Sequence, residues 1–506
     1  MVTFPQDPPN PAPGLKSSND NLSLTPLEGF NLDDLQSKSL RTVGLEGLGL
    51  FAANKLNLTG IFSSLGFKEE DIKLFLALII AKMAGDDAEE SILSWLTRES
   101  SLGDLIGHDF TAVSVKDLEE AMDALEAKRP EIESLLYSAA LEADKADNLE
   151  DNDLEANDSP DHHDSIISLY DLTKRYYESS PLDGPSLCSP PDLTAKGEVA
   201  KGQIPNLPPE RPGFALGLWF GRRGYLRQSQ VLTGDILDPA IFKTLVTSFK
   251  PPAGALWFMA ERIATHDHLA WLTSLGYRYL TINRAKSLVF NKADSQPLII
   301  DEPLYVYREK SLEGRENVLW VYLPQRASLE NARLVAEVSV QAVGPQKEDK
   351  RRKEWQKNHP QVGSEQTIFR LTPGVFRLAT NDLTLTAEEI WRLYLKRTRL
   401  EGGIRAFNLD LGTRKIRPIF VRRLSPHLFI ATLAYQLAQS LQNRLEANHV
   451  FERWGIIVKT IRGRQRTLIS LANNANAPLE RWINADPEPG LIRIYKALNI
   501  DPQTWP

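Results

Sequence analysis

A chain of 506 residues, 42% hydrophobic and 25% charged, has the composition of a globular protein with room for two or three domains. Its single cysteine, Cys188, excludes a disulfide framework and a cysteine-based zinc site, which suits a reducing compartment. The formal charge of −7 argues against a uniformly basic surface, but the average hides two opposite segments: ten acidic residues against Lys145 alone between Glu142 and Asp164, and ten Lys and Arg against Glu401 and Asp410 between Trp391 and Arg423.

Residues 1–38 are rich in Pro, Asn and Ser and read as disordered; the start MVTFPQDPPNPAPG has neither the basic start nor the apolar centre of a secretory signal. From 39 to 140 the runs KEEDIKLFLALIIAKMA, EESILSWLTRESSLGDLI and VSVKDLEEAMDALEAKRPEIESLL combine polar starts with apolar spacing of three and four, which predicts a helical N-terminal domain. The most apolar stretch, Leu74 to Ala81, falls far below the ~20 residues of a membrane span, so a buried helix and no membrane partner are expected. Residues 141–164 lack a periodic apolar face and read as a solvated acidic linker. The texture then changes to strands in IISLYDLT, GFALGLWF, LRQSQVLTGD, ALWFMA and RYLTINR, with helices predicted at about 239–249 and 264–276. Three strands, helix, strand, helix, strand over 165–286 is the order of an α/β domain. Strand-like runs in LIIDEPLYVYREK, VLWVYLPQ and EQTIFRLTPGVFRLATND predict a β-rich insertion over 287–385, which includes the basic stretch KEDKRRKEWQKNH around Trp355. Residues 386–506 read as a C-terminal helical region in which Arg462, Arg464 and Arg466 form a small basic cluster.

Two sites carry chemistry. Asp171 closes an apolar strand, a rigid support suited to a metal-binding carboxylate, although an aspartate there also serves as a turn former. In YLKRTRLEGGIRAFN, residues Tyr394, Arg397, Glu401 and Asn408 stand at offsets of three, four and seven, so one helix face presents a carboxylate among cations. The spacing resembles Y-x2-R-x3-E-x6-K, the signature around the last acidic residue of DDE-type insertion-sequence transposases of the insertion-sequence-4-like superfamily, with Asn408 at the lysine position. The following LGTRKIRPIFVRRLSPHLFIATLAYQL, with Arg417, Pro418, His427 and Leu428, is similar to the segment after the catalytic helix in one subgroup. LYDLTKRYYES resembles Y-D-x-T-x-x-Y-F-E around the first catalytic aspartate, with Asp171, Thr173, Tyr177 and Glu178 in register. LWFMAERIATHDHLAWL resembles the stretch around the middle aspartate, but that position is Ala260, with Glu261 next to it as a candidate replacement. Strand alternation puts those two residues on opposite faces. Asp235 and Asp238 are expected to cap the following helix, and the run His266, Asp267, His268 to be a solvated face, because adjacent residues diverge on a helix.

The resemblance implies an α/β ribonuclease H-like catalytic domain with a β-rich insertion, flanked by N-terminal and C-terminal helical regions. It implies metal-dependent DNA strand cleavage and strand transfer at element ends by Asp171, Glu401 and Glu261. Two Mg²⁺ or Mn²⁺ ions, about 4 Å apart, would stabilise the attacking and leaving oxygens, with Asp171 and Glu401 as ligands. DNA contacts would come from Tyr394, Arg397, Arg399 and Asn408, in a homodimer bound to element-end and target DNA, in the cytoplasm of a prokaryote beside the nucleoid. The alanine at the middle position leaves two alternatives open: a catalytically inactive, transposase-derived DNA-binding protein, and a nuclease that uses Asp171 and Glu401 with a single ion.

Overall fold

The computed structural model describes residues 30–84, 89–147, 165–171, 214–283, 295–300, 302–309, 315–328, 374–413, 424–473 and 479–501; the side chains of Asp171 and of 401–413 are among those outside the description. Thr173, Tyr177, Glu178, Cys188, the stretch around Trp355, Arg417 and Pro418 also lie outside the described residues.

In chain order the elements are β1 (Phe30–Thr42), α1 (Gly44–Lys55), α2 (Leu58–Ser64), α3 (Glu69–Met83), α4 (Glu89–Ser94), α5 (Leu102–Ile106), α6 (Val115–Ala127) and α7 (Arg129–Ala146). There follow β2 (Ile166–Asp171), β3 (Phe214–Phe220), β4 (Leu226–Thr233), α8 (Pro239–Phe249), β5 (Leu256–Ala260), α9 (His266–Ser274) and β6 (Arg278–Asn283). The remainder is β7 (Gln296–Ile300), β8 (Glu302–Glu309), β9 (Asn317–Tyr322), β10 (Val375–Thr380), α10 (Ala387–Thr413), α11 (Leu424–Ala447), α12 (Trp454–Arg462), β11 (Gln465–Asn473), β12 (Leu479–Asn484) and α13 (Pro489–Ala497).

The result is a mixed α/β architecture around one nine-stranded sheet of order β4-β3-β2-β5-β6-β10-β9-β8-β7. β2, β5 and β6 run parallel and the other neighbours antiparallel, so the strands of the 287–385 stretch continue the same sheet beyond β6. Alternation divides the strand residues between two cores. Ile167, Leu169, Ala215, Trp257 and Met259 pack with Phe242, Leu245 and Phe249 of α8 and Leu272 of α9. Ile166, Leu216, Leu218, Leu256, Phe258 and Phe376 face the other way, into a core shared with the N-terminal helices, α10 and α11. α3 is buried on almost every side because Phe75, Leu76, Ile79 and Ile80 meet α1, α6 and α11 around it.

Local chemistry sets the helix starts. Ser114 accepts from the Asp117 amide, and Asp117 accepts from the Ser114 amide, a reciprocal cap on α6. Asp238 accepts from the Ala240 amide at 2.7 Å with Pro239 in the first turn of α8 and caps the helix as expected, whereas Asp235 accepts from the Leu237 amide and closes the turn before it.

Three readings of the sequence change here. β1 occupies 30–42, partly within the stretch read as disordered, because it pairs antiparallel with β11, where the sequence reads as helix. β12 pairs on the other side of β11, giving a small separate sheet. Finally, α7 runs on to Ala146, into the acidic stretch, and buries Asp144 to 3% exposure. Asp144 accepts from the Tyr225 hydroxyl at 2.9 Å and meets Arg223 at 3.0 Å and Arg444 at 3.5 Å. Arg444 also reaches Asp147 at 2.7 Å, and Lys55 reaches Asp147 at 2.8 Å. Burial pushes the Asp144 carboxyl above its ordinary range despite the two arginines.

A second buried acid ties α7 to the sheet. Glu133 accepts from the Ser229 amide at 2.9 Å and from its hydroxyl, and burial raises its carboxyl to about 7 against the opposing pull of Arg129. In the folded chain Glu133 therefore keeps its proton where the unfolded chain has released it. Stability is expected to fall as pH rises from about 4.5 to about 7, by at most ~1.4 kcal/mol per unit. Urea midpoints measured across that window should decline in the wild type and flatten in Glu133→Gln; an equal decline in both would assign the effect to another group.

Candidate functional site

Chain order reverses between β2 and β5. The chain leaves β2 for β3 and β4 on one side, then returns through α8 to β5 on the other side of β2. In open α/β sheets, the crevice beyond the carboxyl ends of strands at such a reversal is where ligands bind. Ile166, Ile167 and Ser168 pair in parallel with Leu256, Trp257 and Phe258, and Asp171 and Glu261 each stand three residues beyond the last of these pairs. Asp171 ends β2, whereas Glu261 is the first residue of the turn after β5, one position past Ala260. Along β2, position 171 has the parity of Ile167 and Leu169. Ala260 has the other parity, that of Leu256 and Phe258.

The backbone after Ala260 turns tightly. The Glu261 amide still donates to the Ile282 carbonyl at 3.2 Å, which holds it to the edge of β6, while the Ile263 and Ala264 amides donate back to the Ala260 carbonyl. Ile263 tucks into the core, Glu261 and Arg262 stay exposed, and Thr265 caps α9 by accepting from the His268 amide. His266 and Asp267 are solvated as expected, but His268 is 2% exposed. Its ring stacks on Phe242 with centroids 3.8 Å apart, and Nδ1 lies 2.8 Å from the Ile263 carbonyl oxygen. Burial lowers its pKa and favours the neutral ring. His268 is thus a core residue that fixes the turn carrying Glu261.

α10 crosses the opposite layer. Tyr394 is 3% exposed, with its ring 4.8 Å from Trp391 and 5.7 Å from Phe376 of β10. One turn later the Arg397 guanidinium sits 5.9 Å from the ring centre of Phe258, and Leu400 packs beside Gly224 in the β3–β4 turn. Gly224 holds φ +76°, and a Cβ there would come within 2.9 Å of Leu400, so the approach of helix to turn requires glycine. Tyr394, read in the sequence as a DNA contact, is accordingly buried in the core, and Arg397 is turned toward the sheet. The backbone of Glu401 follows Leu400 on this layer, whereas the Asp171 position carries the opposite strand parity. The Asn408 side chain lies outside the described residues.

The solvent side of α10 carries Arg392, Lys396 and Arg399, spaced i, i+4, i+7, and Arg392 pairs with Glu388 at 2.7 Å. The signal for this stripe was in the sequence, since three cations alternate there with the buried Leu393, Tyr394 and Leu400. If duplex DNA lies along α10, each phosphate contact removed should flatten the log-log salt dependence of binding by ~0.9. Lys396→Ala with Arg399→Ala is expected to flatten it by about 1.8, whereas Arg397→Ala should mainly lower stability. Anisotropy titrations between low and moderate salt read this directly, and a slope that responds only to Arg397 would move the DNA off this stripe.

Other candidates resolve locally. The Trp320 indole donates to Glu309 at 2.9 Å on the outer part of the sheet. Among the described residues no group of three or more His, Cys, Asp or Glu is placed to hold a metal ion. No described helix is long and apolar enough to cross a membrane.

The chain matches no protein-family description and no curated protein. Among solved structures it is similar to a piggyBac transposase in its synaptic complex with hairpin DNA, at 8% identity and a TM-score of 0.30, over 83% of this chain and 76% of that one.

Proposed function

We propose that this chain is a DNA-acting protein of the transposase type, with a ribonuclease H-like core that cleaves phosphodiester bonds with the help of divalent ions. The reading is supported by the position of Asp171 at the end of β2 and of Glu261 just past the end of β5, neighbouring parallel strands between which the chain order reverses. The element order β2-β3-β4-α8-β5-α9-β6 supports the same reading.

Asp171 and Glu261 are the residues that would hold Mg²⁺ or Mn²⁺ here, and their hard carboxylate oxygens suit such ions. A bound ion supplies charge neutralisation at the scissile phosphate. The motif resemblance implies Glu401 as a further ligand, but α10 lies on the other layer of the sheet, so the pair proposed here is Asp171 and Glu261. The chain's own contribution is positional: β2 carries Asp171 at its end, and Glu261 begins the turn after β5, held by its amide bond to the Ile282 carbonyl and by His268 packing on that turn. Cleavage and strand transfer at the ends of an insertion element, by a homodimer, follow within this proposal from the motif resemblance.

A second reading, a catalytically inactive DNA-binding relative, is favoured by one observation: α10 lies on the layer of Phe258 and Ala260, away from the parity of Asp171. Incubating labelled duplex DNA with the protein in Mn²⁺ or Mg²⁺ separates the two. Nicking that disappears in Asp171→Asn and on chelation supports the first; DNA binding with no metal-dependent product supports the second.

A further inference from the structure

α12 packs against both α10 and α13, which sets three helices side by side. Neither WGIIVKTIR of α12 nor PGLIRIYKA of α13 contains an acidic residue. Their exposed positions include Arg453, Lys459 and Arg462 on or beside α12, and Arg493 and Lys496 on α13. Arg493 and Lys496, with Asn448 and His449 just past the end of α11, line an open hollow.

Helix stabilisation accounts for part of this charge. Lys459 and Arg462 stand in the last turn of α12, where cations suit the helix dipole, but Arg453 is its N-cap, where a cation opposes that dipole. Arg453 also makes no side-chain capping bond to α12. The same surface exposes Phe451 to 71% and Ile456 to 50%, large apolar groups that neither core has taken up. Acids also stand at its margin: Glu388 pairs with Arg392, Glu389 accepts from the Thr386 amide, Glu452 pairs with Arg493 at 3.7 Å, and Glu488 is the exposed N-cap of α13.

We infer that the nucleic-acid track extends from α10 across α12 onto α13, and that Arg453, Lys459, Arg462, Arg493 and Lys496 contact the phosphate backbone of duplex DNA. This rests on the DNA-acting reading above. Packed helices stand about 9 Å apart, so the three span roughly 20 Å. Duplex DNA carries one charge per ~1.7 Å of axis, so a band of that width meets about a dozen phosphates, of which only part face the protein. Such a surface binds by counterion release and without sequence preference.

The test uses the full chain and a random 30-base-pair duplex, with anisotropy followed against salt. Arg493→Ala with Lys496→Ala is expected to flatten the log-log slope by about 1.8 and to weaken binding at low salt, while Arg493→Lys with Lys496→Arg keeps both. An unchanged slope in a variant with a wild-type denaturation midpoint overturns the inference and leaves the DNA-acting reading standing. Absence of duplex binding by the wild type overturns both. A change confined to single-stranded DNA or RNA also overturns the assignment to duplex.

Discussion

Arg444→Met is expected to lower the unfolding free energy by about 3–5 kcal/mol at neutral pH, because it strands a buried carboxylate. Arg444 meets Asp144 at 3.5 Å and Asp147 at 2.7 Å, and its own side chain is 5% exposed. These contacts join α7 to α11, and α11 in turn holds the β3–β4 turn. Gln436 donates to the Leu226 carbonyl and accepts from the Leu226 amide, the Tyr435 hydroxyl donates to the Gly224 carbonyl, and Gln439 donates to the Arg223 carbonyl. Loss of one cation therefore loosens the N-terminal helices, the first hairpin of the sheet and the long C-terminal helix together.

The sign of its pH dependence follows from Asp144. Burial already raises that carboxyl, so the folded chain holds its proton to higher pH than the unfolded chain does, and the stability it contributes is greatest at low pH and is lost as pH rises. Removing Arg444 raises the carboxyl further, so the deficit of the variant should be largest at neutral pH and shrink on acidification. Asp144→Asn with Arg444→Met should recover part of the loss, since no stranded charge remains. Denaturant midpoints for the three proteins at two pH values decide it; a loss below ~1 kcal/mol for Arg444→Met would mean that Arg223 alone satisfies Asp144.

The same residue illustrates how legible the chain was. Asp144 lies in a segment whose composition marks a solvated linker, and a composition window cannot tell an acid on a buried helix face from one in solvent. Spacing does better: Tyr137, Ala140 and Asp144 follow one another at three and four, so the helical stripe of α7 continues through the acid. The central strands were legible because FALGLWF and LWFMA are buried on both faces and read as apolar runs. β1 and β11 were not. FNLDDLQSKSLRT is too polar to announce a strand, and its partner β11 lies more than 400 residues away, so the pairing is a tertiary decision. In QRTLISLAN, polar and apolar residues do not alternate, so no period of two announces the strand after the preceding helical run.

At the site, the sequence named candidate acids and could not say which layer of the sheet each one occupies. Periodicity puts Tyr394 and Arg397 on one helix face, but it cannot say that Tyr394 meets Trp391 and Phe376 and that Arg397 lies over Phe258. The register of β2 against β5 depends on a pairing between strands about 90 residues apart. Strand parity along β5 sets Ala260 with Leu256 and Phe258, and the turn that follows carries Glu261 away from that face.

That separation gives the second large effect. If Asp171 and Glu261 form the acidic pair, Glu261→Gln should reduce metal-dependent DNA cleavage by 10²-fold or more, since it keeps the side-chain volume and removes only the charge that holds an ion. Ala260→Asp should rescue nothing. Position 260 has the parity of Phe258, over which Arg397 lies, so the new carboxylate would join the α10 layer and could pair with that cation. The opposite pattern, cleavage gained in Ala260→Asp and indifferent to Glu261→Gln, would place the centre on the α10 side with Glu401 and require β2 to shift register by one residue, because a one-residue slip exchanges the two faces. Calorimetric titration of Mn²⁺ into wild type and both variants gives a readout independent of turnover. Weakened binding in Glu261→Gln, with Ala260→Asp unchanged, is the result that pairing of Asp171 with Glu261 predicts.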